Sequence, residues 1–589
     1  MPGTFPTQNG TGHQPDASGV WPGWTSEYPV VTTQSDGRIR IQEYGILFEN
    51  DHTRPRFYPL LLLQHVFTRE VLSAEINALQ GLDASEKDLL VERVLGSDNS
   101  SSETYIRVFA ILKVIDQLKR LPAFVREGVS DQELPLHWDH KQPGDHLFYG
   151  KPEKRVPDDL LSEYGRASFH REQYNMLVPF FESQSHPYEF AWAHVLPSYE
   201  VTEAKTSTSP SELEGSYGVV SKILIHPLCH NFHNVFDALG MPDEEMFFAV
   251  KQFHDNDPAS FRREVEMLQR FNSAKHSHIV ALLAAYTKDS KDYLIFPWAT
   301  HDLHAYWKKV RPTPDAEDVE LVRWICHQAW MLVEAVSRMH KLPEDQNRPE
   351  EKRLYGRHGD LKPENILWYK SREGFGKLVI ADMGLSKVHR YESKTYIPGK
   401  KVSATPRYRP PEVEYEDGLM GRTFDIWTLG CMFLEMLGWL HGGYDQLTEM
   451  EEMITTPSIR GYDCNAYSEW VYVEDSRFYT VRVKKAVTEY IRTLRKDCSQ
   501  FVYDFLDIIE YQMLVAERDD RATAENLAKE MENLHNMCHD EDGLIYCVRK
   551  EKRQLLDAPK PKLQERVFGK NLPTGGRNTI PRVVSSDFE

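Results

Sequence analysis

Cysteine is scarce and long apolar runs are missing, and each absence excludes a class of protein. The seven cysteines of the 589-residue chain stand at 229, 326, 431, 464, 498, 538 and 547, with no CxxC pair among them. An odd count at irregular spacing excludes a disulfide framework and reads as reduced thiols. The apolar runs, such as LLLL at 60–63, fall far short of the roughly 20 residues of a membrane-crossing helix. The opening MPGTFPTQNGTGHQPDASG has neither the basic start nor the apolar stretch of a secretory signal. The expected location is therefore cytoplasmic or nuclear, not secreted and not transmembrane. Basic density is missing too. The 70 Lys and Arg against 89 Asp and Glu leave a net charge of −19 with no local basic patch, so neither nucleic acid nor a membrane is an expected partner.

What is present is ordinary globular composition, 41% hydrophobic and 27% charged, over a length that calls for several domains. Residues 1–35 are rich in Gly, Pro, Ser and Thr and are expected to be disordered. Residues 36–135 read as a small helical domain. Ser100–Ser101–Ser102–Glu103 offers a capping box, and Val108, Ile111, Leu112, Ile115 and Leu118 then form an amphipathic stripe. Similar periodicity recurs around 60–80 and 86–95. With no catalytic constellation in it, this region reads as a packing module, and a protein partner for it is left open. Residues 136–204 are a mixed, aromatic-rich connecting region, and 202–215 is a polar linker. From 205 to 545 strand-like and helix-like segments alternate. The tail, 546–589, is rich in Pro, Gly, Lys and Arg and is expected to be disordered and solvated.

The chemistry concentrates at His358–Gly359–Asp360–Leu361–Lys362–Pro363–Glu364–Asn365. Phosphoryl transfer needs a carboxylate to orient the acceptor hydroxyl, a cation near the γ-phosphate and an oxygen to hold a metal ion. Asp360, Lys362 and Asn365 supply these. Downstream, the apolar run 378–381 ends in Asp382–Met383–Gly384, a metal-binding turn at a strand's end. Upstream, Lys251 sits alone in the apolar strand 247–253, and Glu264 in the following amphipathic stretch is placed to pair with it, since Leu268 then reaches the core face. Leu213–Glu214–Gly215–Ser216–Tyr217–Gly218–Val219–Val220 has the glycines of a phosphate-covering loop.

The D-x-K-x-x-N spacing of the 358–365 segment resembles the catalytic loop of protein kinases, and the other segments fall in that family's order. Thr405 to Glu412 resembles the end of the activation segment. Asp425–Ile426–Trp427–Thr428–Leu429–Gly430 resembles the helix whose Asp holds the catalytic-loop backbone, and Arg521 matches the arginine that pairs with Glu412. The resemblance implies an α+β, bilobal fold, with a β-rich lobe to about 295 and a helical lobe after it, preceded here by the mostly helical N-terminal region. It also implies a hinge at 296–299 in which Phe296 guards the adenine site and Trp298 supplies backbone contacts. ATP would lie under Leu213, Gly215, Gly218 and Val220, with Lys251 and Glu264 at its phosphates and Mg²⁺ on Asn365 and Asp382. Asp360 and Lys362 would be catalytic, and the substrates would be proteins. Lys362 and Thr405 resemble the serine/threonine branch, and the wording of the hinge is similar to kinase-domain proteins of filamentous fungi.

Three positions depart from the pattern. Leu213 replaces the first glycine, Gly359 the arginine of His-Arg-Asp, and Met383 the phenylalanine of Asp-Phe-Gly. They support an alternative reading as a pseudokinase scaffold, against which all the groups named above are present. A second alternative is a small-molecule phosphotransferase of the aminoglycoside type, whose loop also reads His-Gly-Asp; Lys362–Pro363–Glu364, Glu412 and Arg521 speak against it. Without an arginine at 359, activation is not expected to depend on one loop phosphate, and Ser393, Thr395, Tyr396 and Ser403 read as loop residues or modest tuners. The cluster His226, Cys229, His230, His233 has spacing a Zn²⁺ site could use, but reads as a His-rich surface turn. Residues 341–357 read as an exposed, charged insertion with no element of its own.

Overall fold

A computed structural model describes residues 24–552 except 25–26, 49–52, 97–102, 139–146, 151–153, 158, 183–185, 202–211, 216–217, 242–245, 254–257, 274–275, 342–353, 373, 383–386, 391–396, 399–404, 415–418, 459–461 and 474–477. Most of the two terminal stretches read as disordered thus lies outside the described residues. The chain divides into two compact units, the first made of residues up to 234 with 247–256 and 283–296, the second of the remainder.

The first unit opens with helices. They are Leu60–Val66 (α1), Arg69–Asn77 (α2), Ala84–Leu95 (α3), Ile106–Val114 (α4), Leu121–Glu127 (α5) and, after a three-stranded ribbon, Glu163–Met176 (α6). The ribbon is His137–Trp138 (β1), Leu147–Tyr149 (β2) and Lys154–Arg155 (β3). A capping box does occur, but at α3: the Asp83 carboxylate accepts from Glu86 N and Glu86 reaches back to Asp83 N, both at 2.9 Å. Ser100, Ser101 and Ser102 of the expected box lie outside the described residues, and α4 has a long-range cap. Asp131 accepts from the backbone N–H of Arg107 (3.1 Å) and Val108 (2.9 Å) and from the Thr104 hydroxyl (2.9 Å), filling orphan donors of the first turn from 23 residues or more away. Val108, Ile111 and Leu112 are fully buried as the stripe required, but α4 stops before Ile115, and Leu118 starts a separate 3₁₀ turn.

A seven-stranded sheet follows: Tyr188–Phe190 (β4), Ser198–Glu200 (β5), Glu212–Gly215 (β6), Gly218–Ile225 (β7), Phe248–Phe253 (β8), Ala284–Lys288 (β9) and Lys291–Pro297 (β10). Its order is β4-β9-β10-β8-β7-β5, with β6 also on β7. Two strands therefore come from the stretch read as a connection: β4 runs parallel to β9, and β5 lies antiparallel to the end of β7. β4 and β5 thereby become edge strands of the sheet, and at three residues each they leave only a short open ladder.

The stretch 24–58 is anchored to this sheet region by aromatic rings. Trp24 packs against Phe48, Phe57, Tyr199 and His226 at centroid distances of 4.6–5.9 Å, so the end of the segment read as disordered is ordered at this residue. Arg54 lies 3.4 Å over the Phe48 ring and donates to the carbonyls of Ser198 (3.0 Å) and Leu196 (3.1 Å). Of the four residues of the His-rich turn read as surface, only His233 is exposed. His226, Cys229 and His230 are 0%, 1% and 4% exposed, because their imidazoles serve as local acceptors: His226 Nδ1 takes Leu228 N–H at 3.1 Å and His230 Nδ1 takes Phe232 N–H at 3.4 Å. Burial, and then the neighbouring His233 and His226, pushes His230 down to about 3.

The second unit is mostly helical: His233–Leu239 (α7, entering from the first unit), Pro258–Ser273 (α8), Leu303–Ala305 (α9), Val319–His340 (α10), Thr423–Ile454 (α11, kinked at Gly443), Lys485–Arg495 (α12), Gln500–Ile508 (α13), Ala524–His539 (α14) and Gly543–Val548 (α15). Residues 424–440 of α11 are buried on every side, the mark of a central core helix. Its strands include His301–Asp302 (β11), Leu354–Arg357 (β12), Ile366–Tyr369 (β13), Lys377–Ile380 (β14) and Lys387–Arg390 (β15), paired β11-β13-β14 and β12-β15. Residues 354–357 of the expected featureless insertion thus form a strand, while 342–353 lie outside the described residues.

Candidate active site

The 358–365 loop connects β12 to β13 and is held from beneath by Asp425, near the start of α11. The fully buried Asp425 carboxylate accepts from the N–H of His358 (2.9 Å) and Gly359 (2.8 Å), and from His340 Nε2 of α10 (2.9 Å). Burial alone would raise this carboxyl, but the His340 hydrogen bond with the neighbouring His340, His358 and Arg357 holds it below its ordinary range. Gly359 has φ +87°, a conformation other residues adopt at a cost, which accounts for glycine here in backbone terms. His358 takes the Asp360 N–H on Nδ1 (3.2 Å) and contacts the Ala381 carbonyl through Nε2 (2.9 Å), so Nε2 carries the proton.

The structure brings Asp360, Lys362 and Asn365 together. Asn365 Nδ2 donates to the Asp360 carbonyl (2.7 Å) and to Oδ2 (3.1 Å), and Lys362 Nζ lies 3.3 Å from Oδ2. Thr405 closes the group. Its hydroxyl donates to Asp360 Oδ1 (3.1 Å) and accepts from Lys362 Nζ (2.9 Å), and its N–H also meets Oδ1 (3.2 Å). An aliphatic hydroxyl thus already sits between a carboxylate and an ammonium, within the reach a general base requires.

Asp382 follows β14, with φ +58°. Ala381, just before it, donates its N–H to the Asn365 carbonyl at 2.9 Å and receives His358 on its own carbonyl, so the metal-type turn is stitched to the catalytic-type loop. With its amide nitrogen committed to Asp360, Asn365 has its side-chain oxygen to offer. Among the described residues no group of three or more ligating side chains is gathered round one point. One amide oxygen and one carboxylate fit Mg²⁺, which keeps most of its shell as water and phosphate. Met383 and Gly384 lie outside the described residues, as do Ser393, Thr395, Tyr396 and Ser403.

The other predicted residues are divided between the units. In the first, Leu213 faces Val220 and Gly215 faces Gly218 across the β6–β7 ladder, and Val220 faces Lys251 across β7–β8. Ser216 and Tyr217 are outside the described residues. Lys251 is half-buried, its Nζ 5.4 Å over the Phe253 ring, and Phe296 is half-buried near the end of β10. In the second unit, Glu264 and Leu268 both lie on the buried face of α8, and Trp298 is half-buried after Pro297, whose carbonyl accepts from Tyr369. Glu412 and Arg521 form a two-pronged pair, both contacts 2.8 Å.

Sequence reasoning missed a second buried cluster beside Thr405. Glu435 of α11 receives Arg407 (2.8 Å), the Tyr408 hydroxyl (3.0 Å) and the Tyr467 hydroxyl (2.9 Å). Burial pushes the Glu435 carboxyl up, partly offset by Arg407. The signal was available: Glu435 is a lone charge inside the run IWTLGCMFLEMLGWL. His340 was missed as well, being an unremarkable residue at a helix end.

Comparison with known proteins places this geometry. Residues 232–531, half of the chain, match the family described as protein kinase domain. The chain is 29% identical to cyclin-dependent kinase 2 of Caenorhabditis elegans over 254 residues, 42% of this chain and 59% of the relative. It is 28% identical to human cyclin-dependent kinase-like 4 over 233 residues (38% and 48%) and 26% identical to cyclin-dependent kinase 7 of Dictyostelium discoideum over 257 (42% and 60%). The chain therefore spans about half the length of the curated relatives it matches.

Proposed function

This chain belongs to the protein kinase domain family, and from that premise we propose that it transfers the γ-phosphoryl group of Mg·ATP to serine or threonine hydroxyls of protein substrates. The observation that carries the reading is the Thr405 hydroxyl held between Asp360 and Lys362. In this reading Asp360 orients the acceptor hydroxyl and receives its proton, and Lys362 offsets charge building on the γ-phosphoryl group. Lys251 is assigned to the α- and β-phosphates, with Glu264 orienting it. Leu213, Gly215, Gly218 and Val220 cover the nucleotide, with Phe296 and Trp298 at adenine. Mg²⁺ held by Asn365 and Asp382 would bridge the phosphates and neutralise part of their charge. The protein's own contribution is positioning and preorganised charge, with no covalent enzyme intermediate. The relatives named cyclin-dependent kinases name dependence on another protein, and a protein partner for the N-terminal helical region is part of the proposal.

The test is phosphoamino-acid analysis after incubating the full chain with γ-labelled ATP, Mg²⁺ and a generic basic protein. Label on serine or threonine supports the proposal. Label on tyrosine or on an added small-molecule alcohol, or ATP binding with no transfer under any activating condition, would overturn it, the last in favour of a scaffold.

A further inference from the structure

Away from the loop at 358–365, the second unit carries a group of histidines where α14 packs on α10. His535 and His539 are one helical turn apart on α14, their ring centroids 4.4 Å from each other. His327 of α10 lies 5.3 Å from His535, and Trp330 lies 4.8 Å from it. Spacing of i and i+4 puts two imidazoles on one helix face, where their outer nitrogens can meet a single ion.

We propose that His535 and His539 form a two-point chelate for a borderline divalent transition metal, of the Zn²⁺, Ni²⁺ or Cu²⁺ class, with water completing the coordination. Four observations carry it. The first is the tautomer. His539 Nδ1 is 2.8 Å from the His535 carbonyl oxygen, which can only accept, so Nδ1 holds the proton and Nε2 presents its lone pair. A ring nitrogen anchored on a backbone carbonyl is the outer-shell contact that orients metal-binding histidines. The second is proximity: the His535 and His539 ring centroids lie only 4.4 Å apart on one face of α14.

The third is the local field. His539 is the last residue of α14, at the negative end of the helix dipole, and Asp540, Glu541 and Asp542 follow directly, while Arg323 already donates to the Cys538 carbonyl (3.0 Å). A divalent cation is favoured there by the dipole and by the acidic run. The fourth is access: His539 is exposed and His535 half-exposed, so an ion reaches them without opening the core. Among the described residues no three ligating groups already surround one point, which is why the chelate has two protein ligands and suits metals that accept imidazole with water.

The experiment uses the full chain, with calorimetric titration of ZnCl₂ and electron paramagnetic resonance of added Cu²⁺. The expected results are one saturable Zn²⁺ site and a Cu²⁺ spectrum with hyperfine splitting from two nitrogens. His539→Gln and, separately, His535→Ala should weaken Zn²⁺ at least ~10-fold and reduce the nitrogens seen by Cu²⁺ to one. His65→Ala, in the first unit, should change neither. Absence of a saturable site, or affinity and splitting that survive both substitutions on α14, would overturn the proposal; so would equal loss in His65→Ala.

Discussion

Replacing Arg521 by methionine is expected to be among the most damaging single changes in the second unit. The guanidinium is fully buried, its partner Glu412 nearly so. It spends its donors on both Glu412 oxygens (2.8 Å each), on the carbonyls of Val515 (2.7 Å), Thr423 (3.1 Å) and Ala516 (3.4 Å), and it lies 5.0 Å from the Trp427 ring. Arg521→Met keeps the volume of the stem and removes all of these, leaving a carboxylate in the core with no cation. Breaking a buried pair from one side costs about 3–5 kcal/mol, most of it the orphaned charge. Urea unfolding followed by circular dichroism should show the midpoint falling at unchanged slope. The companion is the double variant Arg521→Met, Glu412→Leu, in which no charge is stranded. It should be more stable than Arg521→Met alone. A single-variant cost under about 1 kcal/mol, or a double variant as costly as the two single changes added, would refute the reasoning.

Three further outcomes are expected. His230 and His278 are both buried and both pushed down to about 3, chiefly by burial. Below the unfolded value of 6.5 the unfolded chain binds protons that the folded chain does not, so stability falls as pH falls. Each should cost about 2 kcal/mol between pH 6.5 and about pH 5, and a melting temperature unchanged over that range would contradict this. Gly359→Arg restores the family residue at φ +87°, and strain of about 1–2 kcal/mol should lower both melting temperature and phosphoryl transfer; a gain in either would count against the backbone account. Phe57→Ala empties a fully buried site between Trp24, Phe48 and His226 and should cost about 3–5 kcal/mol by denaturant titration, whereas a loss near zero would mean that residues 24–58 are not anchored there.

What the sequence made legible was contiguous or motif-bound. The segment 358–365 carries its chemistry in eight neighbouring residues, and the family's order then pointed to Asp425, Glu412 and Arg521, far apart in sequence yet bonded as expected. What stayed hidden depends on partners that no local pattern names. The amide donors of Arg107 and Val108 in α4 are met by Asp131, more than 20 residues on, which no local pattern announces. Strands β4 and β5 are three residues each, too short for an alternation to register, and their identity comes from the neighbours they pair with. His226 and His230 look like solvent residues by type; their ring nitrogens satisfy backbone donors two residues on, which lets them be buried. Glu435 is tolerated in an apolar helix because Arg407 and two tyrosine hydroxyls come to it from segments 27 and 32 residues away.

The measurement that bears most directly on the central claim is the turnover of the Asp360→Asn variant beside the unaltered chain, with γ-labelled ATP, Mg²⁺ and a serine- or threonine-containing acceptor. Asparagine keeps the shape but cannot take a proton, so the account predicts ATP binding close to that of the unaltered chain and transfer reduced by about 10²-fold or more. Transfer at an undiminished rate in the variant would contradict it, and would move the chemistry away from the 358–365 loop.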